Sequence, residues 1–206
     1  MTLHEPATFV TDLLLAGWSA WLATRLRSAR PAVRWWRGAF VAMSAAALLG
    51  GVYHGFGPEM PSLLAKALWR CTLLSIVGTG WCLLQAGIHA CLSGIGVRVW
   101  QWIAGVKAAV FAAWTLIDPI FLCAIADYGS SMLLLLGFEL HAWQRRRVPH
   151  AKWIFAAVLT SALAAVVQQA KVSPHPHFNH NDLYHVIQAV ALGLFFRGAK
   201  RLGGEE

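Results

Sequence analysis

A bundle of seven membrane-spanning helices, all-α and forming one domain over residues 1–206, is the fold class this sequence predicts. Three observations predict it. Apolar runs close to the ~20 residues that a bilayer requires recur seven times along the chain. Charged residues make up 13% of it, against about 25% in a soluble domain. The Lys and Arg residues sort to alternate connections between the apolar runs.

The first run, residues 6–24, holds Asp12 in otherwise apolar sequence and is followed by Arg25, Arg27, Arg30, Arg34 and Arg37. The second, 38–56, ends in GGVYHGF and stops at the breaker pair Gly57-Pro58. The third, 63–87, carries Arg70 near its start and leads to Arg98. The fourth, 97–117, is the least apolar, with Lys107 near its middle, and stops at Asp118-Pro119. The fifth, 119–141, holds Asp127 and runs into Arg145, Arg146, Arg147 and Lys152. The sixth spans 153–170. The seventh, 181–197, follows a proline-bearing approach with four histidines, SPHPHFNHNDLYHVIQ at 173–188, and ends at Arg197, Lys200 and Arg201.

With seven runs, thirteen of the 17 basic residues fall on one side. The positive-inside rule then places the N-terminus outside and the C-terminus in the cytoplasm, as an integral, multi-pass membrane protein. The net charge of +8 therefore reports orientation, and no nucleic-acid partner is expected. The start, MTLHEPATF, lacks the basic region of a cleavable signal, so none is expected. Eleven tryptophans fit interfacial belts. Cys71, Cys82, Cys91 and Cys123 show no C-x-x-C spacing and read as small hydrophobes.

Acids and histidines sort the opposite way. Glu5, Asp12, Glu59, Asp118, Asp127 and Asp182 belong to the outer half, as do His4, His54, His175, His177, His180 and His185. Helix rise sets their depth. Asp12 lies about 9 Å below the outer end, Arg70 about 10–12 Å and His185 about 6 Å, and His54 is near the end of its run. Ionisable residues at such depths face the bundle interior and pair with one another. Lys107 and Asp127, at comparable depth on either side of the Asp118 turn, read as a structural salt bridge.

Asn181, His185 and Gln188 share one helix face. His180 lies roughly 140° around from His185 and joins it only if the helix starts later. A catalytic zinc ion takes three protein ligands and keeps one open position; His54, His180 and His185 supply three nitrogens, and Asn181 or Asp12 an oxygen. In this expectation Asp12 orients or deprotonates a water, and Arg70 holds an anionic head group or a developing oxyanion. The competing reading is plain: His175 and His177 are solvated loop residues, Asp182 a helix-start acid, and His185 a core histidine.

Seven spans, the histidine of GGVYHGF and the histidines opening the last span resemble the CREST superfamily of alkaline ceramidases, adiponectin and progestin receptors, and Per1-type lipid remodelling proteins. The resemblance implies a seven-helix fold with zinc held by one histidine of the second span and two of the seventh, and hydrolysis of a lipid amide or ester. His54 matches the second-span ligand. In NDLYH, His185 matches the second histidine of the family's H-x-x-x-H, while Asn181 stands where the first would be and His180 one position early. Gly50 replaces the family's serine four residues before His54, with Ser44 further back. The third-span aspartate has no counterpart; Arg70 is the nearest ionisable group, and Asp12 stands in from the first span.

The function this combination favours is a membrane-embedded, zinc-dependent hydrolase with a membrane lipid as substrate and its site on the extracytoplasmic side. The alternative is a non-enzymatic seven-helix protein that binds or transports a small or lipidic ligand, with Lys107, Asp127, Gln168 and Gln169 along a polar path. A third is a structural partner, suggested only by abundant small residues. Oligomeric state is not encoded in any of these features.

Overall fold

The computed structural model describes residues 2–204, and among them the chain is helical throughout, without strands. Seven α-helices follow one another: α1 (Pro6–Arg25), α2 (Pro31–Phe56), α3 (Ser62–Cys91), α4 (Ile95–Ile117), α5 (Phe121–Arg146), α6 (Ala151–Gln169) and α7 (His180–Gly203), with one 3-10 turn, Gly57–Glu59, after α2. Each coincides with one apolar run to within a few residues, except that α2, α3, α5 and α7 continue past the apolar stretch. Pro31 opens α2 and Pro6 lies at the start of α1. A proline fits there because the first turn needs no N–H from it and its φ is already helical. Arginine is a good helix former, so Arg34 and Arg37 extend α2 rather than end it.

Five helices, α2 to α6, are long and apolar enough to cross a membrane. The other two, α1 and α7, are interrupted by polar residues: Thr8, Thr11, Asp12 and Ser19 in one, HNDLYH in the other. Short connections make neighbours antiparallel. One end of the bundle, where α1, α3, α5 and α7 begin, carries most of the acids and histidines and is termed the polar end. The opposite end carries the arginines and is termed the basic end.

Six helices close a ring in the order α1, α2, α3, α5, α6, α7 and back to α1, with α2 also touching α7. The remaining helix, α4, packs only on the outside, against α3 and α5, and shows Ile95, Val99, Trp102, Val106 and Val110 to the surroundings. Lys107 fixes it: its Nζ donates to the Asp127 carboxylate at 2.6 Å, the Asp127 carbonyl at 2.8 Å and the Ser131 hydroxyl at 2.9 Å. The expected salt bridge is thus present, and it joins α4 to the ring.

The basic half of the ring is solidly packed. Trp36, Phe40 and Phe195 are buried together, with the Trp36 and Phe195 ring centroids 5.1 Å apart, against Leu22, Leu26 and Ile154. At that end Arg25 stacks on Trp21 and Arg197 on Trp153, each at 5.0 Å from the ring centroid, a cation–π arrangement suited to an interface. The polar half, by contrast, encloses cavities.

Candidate functional site

The site is assembled around the start of α7. Before it, His175 and Phe178 exchange two backbone hydrogen bonds, of 3.4 and 3.0 Å, which turn the chain; His175 and His177 themselves are exposed. Asn179 then caps the helix. Its Oδ1 accepts from the Asn181 N–H at 2.7 Å and the Asp182 N–H at 3.4 Å, and Asp182 Oδ2 accepts from the Asn179 N–H at 2.6 Å. This capping box satisfies the otherwise unpaired first-turn donors. Asp182 also accepts from Thr8 Oγ1 on α1 at 2.8 Å. Asp182 is therefore a helix-start acid with its oxygens engaged, in line with the plainer reading.

One turn later on the same face stands His185, buried like Asp182 and Gln188. Two α1 residues hold its ring. Thr11 Oγ1 lies 3.0 Å from Nδ1, and Asp12 Oδ1 lies 3.2 Å from Nε2. The Thr11 hydroxyl also reaches the Thr8 carbonyl at 3.1 Å, and its hydrogen bond with Nδ1 holds the ring with Nε2 against the Asp12 carboxylate. Asp12 Oδ2 is buried and has no hydrogen-bond partner. Gly51 permits the approach: a Cβ there would sit 2.9 Å from the Asp12 Cβ.

Asp12, His54, Asn181, Tyr184 and His185 line one cavity of about 250 Å³. Tyr128, Gln168 and Tyr184 are shared with a second, more apolar cavity of about 310 Å³ walled by residues such as Ala124, Met132, Leu133 and Val158. The two adjoin at these shared residues, the first holding the polar groups of the α7 start and the second lined by α5 and α6.

Four of the six expected site residues, Asp12, His54, Asn181 and His185, thus share a wall. The other two do not. His180 is itself the first residue of α7, so helix rotation carries its side chain roughly 140° from His185, and it is not on the cavity wall. Arg70 is half-buried beside Trp69; Trp69 and Thr72 line the cavity, and the 100° turn per residue directs Arg70 off the wall.

The zinc that the CREST resemblance implies can be tested against these donors. His185 Nε2 lies 3.2 Å from Asp12 Oδ1, a contact that a proton between them accounts for. His54 lines the same wall, but its Nδ1 is turned to Glu5 Oε2 at 3.2 Å, and its ligand atoms do not gather with those of Asp12 and His185 closely enough for one ion. The expected zinc set of His54, His180 and His185 is therefore not assembled, with or without Asp12, because His180 is rotated away and His54 is engaged elsewhere. A tighter group lies at the basic end: the ligand atoms of Cys91, Glu139 and His150 are all within 4.8 Å of one another, and this buried group can hold a metal ion. Sequence reasoning missed this grouping; the four cysteines are free, as expected, and Cys82, Cys91 and Cys123 are buried. The overlooked signal is Glu139, an acid inside an apolar run on the arginine side, where no other acid of the runs stands.

The chain matches the family described as "Family of unknown function (DUF6962)" over residues 7–203. No curated protein and no solved structure matches it.

Proposed function

The chain belongs to the DUF6962 family, whose function is unknown, and we propose that it is a seven-span membrane hydrolase that cleaves an amide or ester bond of a lipid, a divergent relative of the CREST superfamily. The observation that carries this reading is the cavity walled by the buried Asp12–His185 pair, with a more apolar cavity adjoining it as an arm. A soluble substrate has no use for the arm; a lipid tail fills it while its linkage lies at the pair. α1 and α7 count as spans because they complete the ring with helices that are long and apolar enough to cross. The sorting of basic residues supports an extracytoplasmic polar end, and so an extracytoplasmic site.

No zinc is assigned to this site, and the chemistry rests on the protein's own groups. Thr11 holds the His185 ring through its hydrogen bond with Nδ1, which keeps the imidazole against Asp12. Asp12 Oδ2, free of donors, takes the proton from the attacking water. The Asn181 amide donates to the carbonyl oxygen as negative charge develops on it. Tyr128 and Tyr184 line both cavities and stand between the pair and the arm.

The test is release of fatty acid from an N-acyl sphingoid lipid and from a lysophospholipid by the purified protein in mixed micelles. Turnover of one of them is expected, with Asp12→Asn and His185→Ala each slower by about 10²–10⁴-fold, the usual contribution of a positioned acid or base. Absence of turnover with both lipids, or full activity in His185→Ala, overturns the proposal. Saturable lipid binding without turnover moves the protein to the binding alternative.

A further inference from the structure

A second constellation lies at the basic end, far from the cavity. It is built by three local features. On α3, a Cβ at Gly80 would meet Asp127 Oδ2 at 2.5 Å and one at Gly87 would meet Leu135 Cδ1 at 2.7 Å, so α3 lies against α5 more closely than any larger residue permits. One turn beyond Gly87, this contact sets Cys91 beside Glu139 of α5. Arg147 then ends α5 in the left-handed conformation, φ 52° and ψ 42°, with its N–H bonded to the Trp143 carbonyl at 2.9 Å. A residue other than glycine is uncommon there. The reversal, followed by Val148-Pro149, returns His150 to the same point just before α6.

We propose that Cys91, Glu139 and His150 hold a structural divalent metal ion of the zinc class, which ties the end of α3 to the α5–α6 turn. Glu139 is fully buried, and its carboxylate is met by the Cys91 thiol and, at 3.2 Å, by His150 Nε2, with no backbone or other polar side chain completing it. Buried polar atoms are almost always fully satisfied, and a carboxylate met by an imidazole and a thiol alone points to a common ligand for all three. Charge agrees. A thiolate and a carboxylate bring two negative charges and the imidazole none, so a dication makes the buried site neutral, and binding releases the Cys91 proton. A mixed sulfur, nitrogen and oxygen set suits Zn²⁺ or Co²⁺ rather than the hard ions Mg²⁺ and Ca²⁺. Burial of all three ligands suits a structural role.

Sulfur makes this site separable from the one at the polar end, which has none. Purified protein is stripped with a chelator and titrated with Co²⁺. A near-ultraviolet thiolate-to-cobalt charge-transfer band is expected, saturating at one ion per chain, absent in Cys91→Ser and retained in Asp12→Asn and His185→Ala. Chelation is expected to lower the melting temperature of the wild type and leave that of Cys91→Ser unchanged. No such band in the wild type at excess Co²⁺ overturns the proposal, as does a band that survives Cys91→Ser. If Cys91→Ser does not fold, the titration of the wild type and the loss of the band's intensity in Glu139→Gln decide. None of these outcomes depends on whether lipid is hydrolysed.

Discussion

Lys107→Met probes the attachment of α4 to the ring. The ammonium makes three hydrogen bonds, two to Asp127 and one to Ser131. Asp127 is 1% exposed and its Oδ2 has no hydrogen-bond partner, so water is not at hand to replace the lost charge. Methionine keeps the side-chain stem and its packing while removing the charge. Deleting one partner of a buried pair costs about 3–5 kcal/mol. A second route gives the same size: the stranded carboxyl escapes by binding a proton, and at pH 7 that costs about 4 kcal/mol for a group with a reference pKa near 3.9. The expected loss of about 4 kcal/mol corresponds to roughly 8–16 °C in melting temperature, at ~2–4 °C per kcal/mol for a chain of this size. Thermal unfolding in detergent, followed by helical circular dichroism, reads it. Adding Asp127→Asn removes the stranded charge and should bring the double variant to within about 1–2 kcal/mol of the wild type, the worth of the hydrogen bonds lost. A single variant that loses under about 1 kcal/mol, or a double variant no more stable than the single, refutes the reasoning.

Neighbouring glycines of α2 should behave oppositely. Gly51→Ala places a methyl 2.9 Å from the Asp12 Cβ, whereas Gly50→Ala meets only Thr72 at 3.5 Å and the Asp12 oxygens at 3.9 Å; the first should lose about 1–3 kcal/mol and displace Asp12, the second should unfold like the wild type and keep lipid turnover. Asn179→Ala removes both capping hydrogen bonds and should cost about 0.5–2 kcal/mol, with faster amide exchange confined to the first turn of α7. Thr11→Val keeps the shape beside His185 but cannot hydrogen-bond with Nδ1; a drop in kcat of about 10–100-fold at unchanged KM is expected, the range for loss of such an outer partner, and equal loss through KM speaks against a positioning role. Trp36→Ala, in the packed half, should cost about 3–5 kcal/mol, measured by the same unfolding assay.

How much of this was legible depends on direction more than on distance. Apolar run length reveals seven helices, of which five are long and apolar enough to cross a membrane, because a run of that length has little alternative to helix in an apolar setting. Depth alone brings Asp12, His54 and His185 to one level, and symmetry about the Asp118 turn pairs Lys107 with Asp127. Rotation about a helix axis is harder to read. Arg70 and His180 stand at the right depth, yet Arg70 turns from the cavity by a single residue's rotation and His180 by the exact starting point of α7, which the Asn179 cap sets. Cys91, Glu139 and His150 come together through a close α3–α5 contact and a left-handed arginine. Neither is written in the local pattern, although Glu139, alone among the acids of the apolar runs in standing on the arginine side, marks the place.

The contact between the first and last helices has a bearing on biosynthesis. Thr11 and His185 meet across 174 residues, so a nascent chain threading into the bilayer has Asp12 in place long before its partner leaves the ribosome. Until then the polar end lacks its imidazole and its capping turn, and the ring stands open along one side. Truncated translation products therefore lack the Asp12–His185 pair, which only a chain carried through α7 completes.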